Sequence, residues 1–274
     1  MSVFQDKVAI VTGGASGIGR ALSLALARDG AEVVVADINE ERAAQVASGI
    51  TEAGGRARAA ALDVRDAAAF RALVEAVAKE SGRIDYLFNN AGIAINGEMR
   101  DVSLDDFQQV LDVNLNGVVH GVTAVYPHMV ARGAGHIVNT ASAAGLGPTP
   151  GIVSYGASKH AVVGLSRSLR AEAADLGVRV TVICPGFIET PILRDSRFVN
   201  LDKEGLLKMI PIKPISAEAC AKEILDGVKR NKAIVVVTWQ AKALWLLGRI
   251  SPRLMERIAL QAARNMRKVR RVSE

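Results

Sequence analysis

The chain has 274 residues, half of them hydrophobic and 4% aromatic, with mean hydropathy +0.21. That excludes disorder and allows one large domain with a buried core, while two cysteines (Cys184, Cys220) exclude a disulfide framework. The formal charge of +6 belongs to the end of the chain, since residues 240–274 hold nine Lys/Arg against two Glu and the rest is close to neutral.

Residues 7–12 form a short β-branched run that ends in Gly13-Gly14-Ala15-Ser16-Gly17-Ile18-Gly19, and residues 20–28 then carry a helical pattern. Strand, glycine turn and helix in this order make a phosphate-binding layout. Glycines let the backbone approach a pyrophosphate, and the helix N-terminus offers free N–H groups and a positive dipole end. An ordinary tight turn has the same composition, but the place between first strand and first helix favours the binding role. The second buried strand, residues 31–37, ends in Asp37, 18 residues beyond Gly19, where a carboxylate reaches both hydroxyls of an adenosine ribose. It repels a 2′-phosphate, and Ile38-Asn39-Glu40 brings no arginine to bind one, so NAD is expected over NADP. Asn39 reads as the cap of the next helix.

The alternation continues through helix 40–53, strand 59–64, helix 66–81 and strand 84–89, which runs into Asn90-Ala91-Gly92. A long amphipathic helix spans 104–132 with Asn114 near its middle, where asparagine competes with the backbone and a specific job is one explanation. Strand 135–142 ends in Ser142. The helix of Tyr155 and Lys159 runs to 176, stopped by Gly177, and strand 178–184 is broken by Pro185-Gly186. Helix 216–230, capped by Ser216, leads to strand 233–238. This order predicts an α/β fold: a Rossmann-type doubly wound parallel sheet of about seven strands with helices on both faces, one domain with a C-terminal helical extension. Ligands in such folds sit at the carboxyl ends of strands, where Asp63, Asn89, Ala91 and Gly92 fall.

Ser154-Tyr155-Gly156-Ala157-Ser158-Lys159 places a phenol and an ammonium four residues apart, on one face of a helix. A phenol with a pKa of about 10 is a poor base at neutral pH, and a neighbouring cation favours the phenolate. The pair reads as an acid/base device.

Thr12-Gly13-x-x-x-Gly17-x-Gly19, Asn89-Asn90-Ala91-Gly92, Asn114, Ser142, Tyr155-x-x-x-Lys159 and Pro185-Gly186 followed by Thr190, in that order over residues 7 to about 190, resemble the short-chain dehydrogenase/reductase family in its shorter subfamily of roughly 250 residues. The resemblance implies a catalytic tetrad. In it Tyr155 moves the hydroxyl proton, Lys159 lowers its pKa and binds the nicotinamide ribose, Ser142 hydrogen-bonds the substrate oxygen, and Asn114 holds a water that links Lys159 to solvent. Gly13, Ser16, Gly17, Ile18 and Gly19 are implied at the pyrophosphate, Asp37 at the adenosine ribose, and Asp63 and Val64 at the adenine. Asn90, Ala91 and Gly92 are implied at the cofactor ribose region, and Pro185, Gly186 and Thr190 at the carboxamide. The implied activity is interconversion of a secondary alcohol and a ketone with NAD, by a homo-oligomer, tetramer or dimer. A non-catalytic NAD sensor on the same scaffold and an NADP-dependent ketoreductase are the alternatives.

Domain organisation follows: residues 1–238 as the NAD-binding catalytic domain, with a substrate lid at about 188–215, and 239–274 as a basic amphipathic extension. Apolar residues in the lid (Leu193, Phe198, Leu206, Leu207, Met209, Ile210), with Ala144, Leu146, Ile152, Val153 and Phe187, suggest a hydrophobic alcohol or ketone such as a steroid, retinoid or long-chain compound; packing of a short helix on the core explains them as well. In the tail, Leu254, Met255, Ile258, Ala262, Met266 and Val269 form a stripe among arginines. It can pack on a neighbouring subunit or over the active site, dock peripherally on an anionic membrane, or stay solvated. No recognition motif for nucleic acid and no metal-ligand spacing accompany these features, and neither a secretory signal nor a spanning helix is expected, which predicts a cytoplasmic protein.

Overall fold

The computed structural model describes residues 2–208 and 213–270, with the Leu193 side chain left out. In chain order the first half comprises β1 (Val8–Thr12), α1 (Gly17–Arg28), β2 (Glu32–Asp37), α2 (Glu40–Glu52), β3 (Arg56–Ala61), α3 (Ala67–Ser81), β4 (Tyr86–Asn89), β5 (Ile95–Asn96), α4 (Leu104–Leu111) and α5 (Gly117–Arg132). The second half comprises β6 (Gly135–Thr140), α6 (Val153–Glu172), β7 (Val178–Pro185), β8 (Ile188–Glu189), α7 (Pro191–Asp195), β9 (Arg197–Phe198), α8 (Lys203–Lys208), β10 (Ile215–Ser216), α9 (Ala217–Lys229), β11 (Ile234–Val237), α10 (Trp239–Ile250) and α11 (Pro252–Arg267).

Seven strands make one parallel sheet in the order β11-β7-β6-β4-β1-β2-β3. The chain leaves β1 toward β2 and β3, then returns to the other side of β1 as β4. That reversal opens a crevice at the carboxyl ends of β1 and β4, the place where doubly wound sheets hold ligands. The two-residue period of a strand sorts side chains to the two faces. Ala9 and Val11 of β1 pack with α1, α2 and α9, whereas Val8 and Ile10 pack with α3, α5 and α6. Both faces are covered, as a parallel sheet requires, and the fold is the expected α/β class.

Several expected boundaries shift. β3 begins and ends three residues earlier than its most apolar stretch, because its register against β2 pairs Arg56 with Glu32 and Ala61 with Asp37. As the edge strand it tolerates Arg56 and Arg58. The long helix expected over 104–132 is continuous but carries a π-turn at Asp112–Asn116, around Asn114. α6 ends at Glu172, and a 3₁₀ turn at Ala174–Leu176 precedes Gly177, whose φ of +74° is left-handed. β5, β8, β9 and β10 are two-residue pairings that fasten the segment after β7: β5 to β9, and β10 to β8.

The stripe read in the tail splits. Met255 and Met266 turn inward, with Met266 nearly fully buried against Gly151, while Leu254 and Ile258 stay exposed. The end of the described chain ties back to the body. Arg267 meets Glu98 at 2.6 Å, Arg270 meets Asp101 at 2.7 and 2.9 Å, and Asp202 N–H donates to the Val269 carbonyl at 2.9 Å. Among the described residues no helix is long and apolar enough to cross a membrane.

Candidate active site

The glycine turn is built by close approach. Gly13 lies at φ +63°, and a Cβ there would stand 2.9 Å from the Ala91 Cα; a Cβ on Gly19 would stand 2.0 Å from the Gly13 carbonyl oxygen. Only glycine lets the first turn of α1 sit this tightly on the loop. Ser16 precedes α1 in extended conformation without a side-chain cap bond, unlike Asn39, Asp66 or Ser103 before α2, α3 and α4, so the first N–H groups of α1 stay open to an anion. Asp37, at the end of β2, accepts from Ala15 N–H and Asn39 N–H, both at 3.0 Å, which fixes its carboxylate beside the turn. An open helix end, glycines where a side chain would intrude and an adjacent carboxylate fit a dinucleotide.

Asn90 spends its side chain on this turn, its amide donating to the Thr12 carbonyl at 3.1 Å, while the Thr12 hydroxyl accepts from the N–H groups of Asn90 and Ala91 at 3.0 and 3.1 Å. Asp63 is fastened locally by Arg65, which reaches its two carboxylate oxygens at 2.6 to 3.0 Å and lowers its pKa. Val64 is buried, and its carbonyl meets His120 Nδ1 at 2.9 Å. Gly17 and Thr190 approach across the crevice, a Cβ on Gly17 falling 3.2 Å from Thr190 Cγ2. Thr190 leads into α7, just beyond Pro185 and Gly186.

The other side of the crevice gathers Asn114, Ser142, Tyr155 and Lys159. Asn114 is fully buried in the π-turn. Its carboxamide accepts from Ile93 N–H at 2.8 Å, donates to the Ile93 carbonyl at 3.0 Å and donates to Ser158 Oγ at 3.2 Å. Ser158 in turn donates to the Tyr155 carbonyl at 2.7 Å, so the π-turn braces the helix that carries the phenol. Gly92 lies between Asn114 and Lys159: a Cβ there would stand 3.2 Å from Asn114 Oδ1 and 3.5 Å from Lys159 Nζ.

Lys159 is buried and donates to the Thr140 carbonyl at 2.8 Å; its Nζ lies 5.5 Å from the centre of the Tyr155 ring. Burial pulls this ammonium down to about 8. Ser142 caps the 3₁₀ turn Ala143–Gly145, accepting from Ala144 N–H at 3.1 Å, and its hydroxyl donates to the Pro185 carbonyl at 3.4 Å. Burial pushes Tyr155 up, and the Ser142 hydroxyl works against this. Cys184, fully buried behind these groups, is pushed up to about 12 and is inert as a thiol.

Residues 7–198 match the short chain dehydrogenase family. The chain is 39% identical over 266 residues to the protein named "Probable oxidoreductase EphD" of Mycobacterium tuberculosis, covering 93% of this chain and 45% of that one, so it spans about half the length of that relative. It is 39% identical over 212 residues to "Cyclohexanol dehydrogenase" of an Acinetobacter strain, covering 76% and 82%. The crystal structure of a short chain dehydrogenase/reductase from Burkholderia phymatum in complex with NAD superposes with a TM-score of 0.85 at 31% identity, covering 93% and 96% of the two chains. The chain belongs to the short-chain dehydrogenase/reductase family.

The family acts on small-molecule alcohols and ketones on a fold that holds a nucleotide cofactor. Of the residues read as substrate contacts, Ala144 is buried and Leu146, Ile152 and Phe187 are half-buried. Met209, Ile210 and the Leu193 side chain lie outside the described residues. Sequence reasoning passed over two groups that position Lys159 and Tyr155. One is the Thr140 carbonyl, which no side-chain pattern announces. The other is Ser158, whose signal was its place on the buried side of α6 between Tyr155 and Lys159.

Proposed function

We propose that the protein interconverts a secondary alcohol and a ketone with NAD(H), Tyr155 serving as general acid/base. The observation that carries this reading is one assembly at the sheet's carboxyl edge: the Ser142 hydroxyl working against the rise in the Tyr155 pKa, Lys159 held beside the phenol by Thr140, and Asn114 bracing α6 through Ser158. A non-catalytic NAD sensor has no use for these four groups together.

The nicotinamide cofactor supplies the hydride acceptor or donor. Gly13, Ser16, Gly17, Ile18 and Gly19 would hold its pyrophosphate at the open end of α1, Asp37 an adenosine ribose, and Asp63 and Val64 the adenine side, with Asp63 releasing Arg65 or accepting beside it. Asn90, Ala91 and Gly92 would border the cofactor ribose, Lys159 would donate to its hydroxyls, and Pro185, Gly186 and Thr190 would meet the carboxamide. In reduction, the Tyr155 O–H gives its proton to the ketone oxygen as that oxygen becomes an alcohol, and Ser142 donates a second hydrogen bond to the same oxygen. The buried Lys159 ammonium favours the phenolate left behind. In oxidation the proton travels back to that phenolate.

NAD over NADP is supported by the Asp37 carboxylate at the end of β2, and by the NAD complex of the Burkholderia relative. A hydrophobic substrate is supported by the cyclohexanol dehydrogenase likeness, with half-buried Leu146, Ile152 and Phe187 as residues that would line its pocket. The segment 188–215 is read as a lid on a catalytic domain of residues 1–238, with 239–274 appended. A cytoplasmic homo-oligomer completes the proposal. The test is nicotinamide absorbance over a panel of cyclic and long-chain secondary alcohols, cyclohexanol included, with NAD and NADP in parallel. Turnover with NAD is expected. Turnover with NADP alone would favour the ketoreductase reading, and NAD binding without any turnover would favour the sensor.

A further inference from the structure

The segment formed by α10 and α11 carries an apolar surface that the described fold leaves uncovered. On α10, Trp239, Ala243, Leu246 and Ile250 recur at spacings of four, three and four, which is one face of a helix. Trp239 is 74% exposed, Leu246 52% and Ile250 82%. The other side of α10 does the packing, through buried Ala241 and through Trp245 against the core.

α11 adds charge. Its inward face is Met255, Ala259, Ala263 and Met266, while Leu254 and Ile258 are exposed beside Arg253, Arg257, Arg264 and Lys268. These four cations follow at spacings of four, seven and four, again one stripe, and among the described residues none of them forms an ion pair. Lys242 is taken by Glu223, and Arg249 lies over the Trp245 ring at 5.4 Å. Glu256 is the one acid between residues 239 and 270, against eight Lys/Arg.

Exposed apolar residues on α10 and exposed cations outside any ion pair on α11, two helices packed on each other, restrict what can cover this segment. Two-fold pairing with a second copy would press two such cationic segments together, and like charge opposes that. Nucleic acid would meet the cations but gain nothing from Leu246, Ile250, Leu254 and Ile258. An anionic bilayer surface satisfies both stripes: tryptophan and aliphatic side chains settle at the acyl boundary, and arginines reach lipid phosphates. Since no described helix can cross a bilayer, the contact lies in the plane of the interface. We propose that residues 239–268 dock the protein on an anionic membrane surface, with Trp239, Leu246 and Ile250 entering the boundary and Arg253, Arg257, Arg264 and Lys268 holding headgroup phosphates. This docking stands apart from the reaction proposed above.

The test uses the full chain with vesicles of phosphatidylcholine, with and without phosphatidylglycerol. Wild type should sediment with the anionic vesicles and release as salt rises. In Trp245→Phe protein, emission from Trp239 should move to shorter wavelength when those vesicles are added. The variants Arg253→Gln/Arg257→Gln/Arg264→Gln and Trp239→Ser/Leu246→Ser/Ile250→Ser change exposed positions only, so the melting temperature should hold while each loses about a hundredfold in vesicle affinity. Absence of wild-type binding, or binding to neutral vesicles that ignores the arginine variant, overturns the proposal. So does self-association in light scattering that the apolar variant abolishes while vesicles are ignored, an outcome that would assign the face to a second copy.

Discussion

Lys159 holds its ammonium 2.8 Å from the Thr140 carbonyl oxygen and 5.5 Å from the centre of the Tyr155 ring, at the inner wall of the crevice. Burial acts on the two groups in opposite senses, lowering the ammonium to about 8 and raising the phenol. At neutral pH the phenol therefore keeps its proton, the form that in the proposed reaction reduces a ketone. Alcohol oxidation needs the phenolate. Oxidation rates are expected to keep climbing as the medium becomes more alkaline, because burial holds the phenol above its ordinary value. Rate–pH profiles in both directions check this, and a flat oxidation profile contradicts it.

The same burial makes Lys159 a cost to stability. Its folded pKa lies below the unfolded value of 10.5, so between about pH 8 and 10.5 the unfolded chain binds more protons and stability rises with pH. Lys159→Met should stabilise the protein at pH 7 by about 2 kcal/mol, remove that rise and abolish turnover. Melting temperatures at pH 7 and above 9 distinguish the two proteins.

His136, buried in β6 with Nε2 2.8 Å from Thr181 Oγ1, is held down to about 3, burial first and Arg179 second. A histidine depressed from 6.5 stays neutral in the fold and charges in the unfolded chain, so its contribution is intact above about pH 6.5 and is lost as pH falls toward 3. Stability should drop by about 1.4 kcal/mol per pH unit below 6.5. His136→Asn should flatten the curve between pH 6.5 and 4, above the range where the lowered Asp85 titrates. Chemical denaturation at stepped pH measures it.

Asp37 both anchors the glycine turn and, in the proposed reading, excludes a 2′-phosphate. Asp37→Ala should shift the ratio of NADP to NAD use by about tenfold or more toward NADP. Asp37→Asn keeps an acceptor for Ala15 and Asn39 while removing the charge, so a similar shift there assigns the selectivity to charge. If neither substitution changes the ratio, the carboxylate does not select the cofactor.

Much of the fold was legible because parallel strands buried on both faces read as short β-branched runs, and Val8 to Thr12 or Val33 to Ala36 need no context to be recognised. β3 was misplaced by three residues because register against β2, not hydrophobicity, sets its ends. Asn114 was conspicuous as a polar residue within a helix, yet the π-turn around it is a hydrogen-bond shift that leaves no compositional mark. The residues gathered at the crevice were readable as motifs. Their partners were not: the Ile93 and Thr140 carbonyls are backbone atoms, and the Asp63–Arg65 fork depends on where two exposed side chains turn. The tail stripe was visible, but which half of it would be buried depended on Gly147 and Gly151 lying beneath Met255 and Met266.

The central claim is that Tyr155 carries the proton in an NAD-dependent reaction. The most direct test compares wild type with Tyr155→Phe for NADH appearance at mildly alkaline pH, using the best alcohol of the panel, with NAD binding to each followed by thermal shift. A loss of at least about a thousandfold in kcat is expected, with NAD binding retained. Turnover in Tyr155→Phe within about tenfold of wild type would contradict it and move the acid/base role to another group.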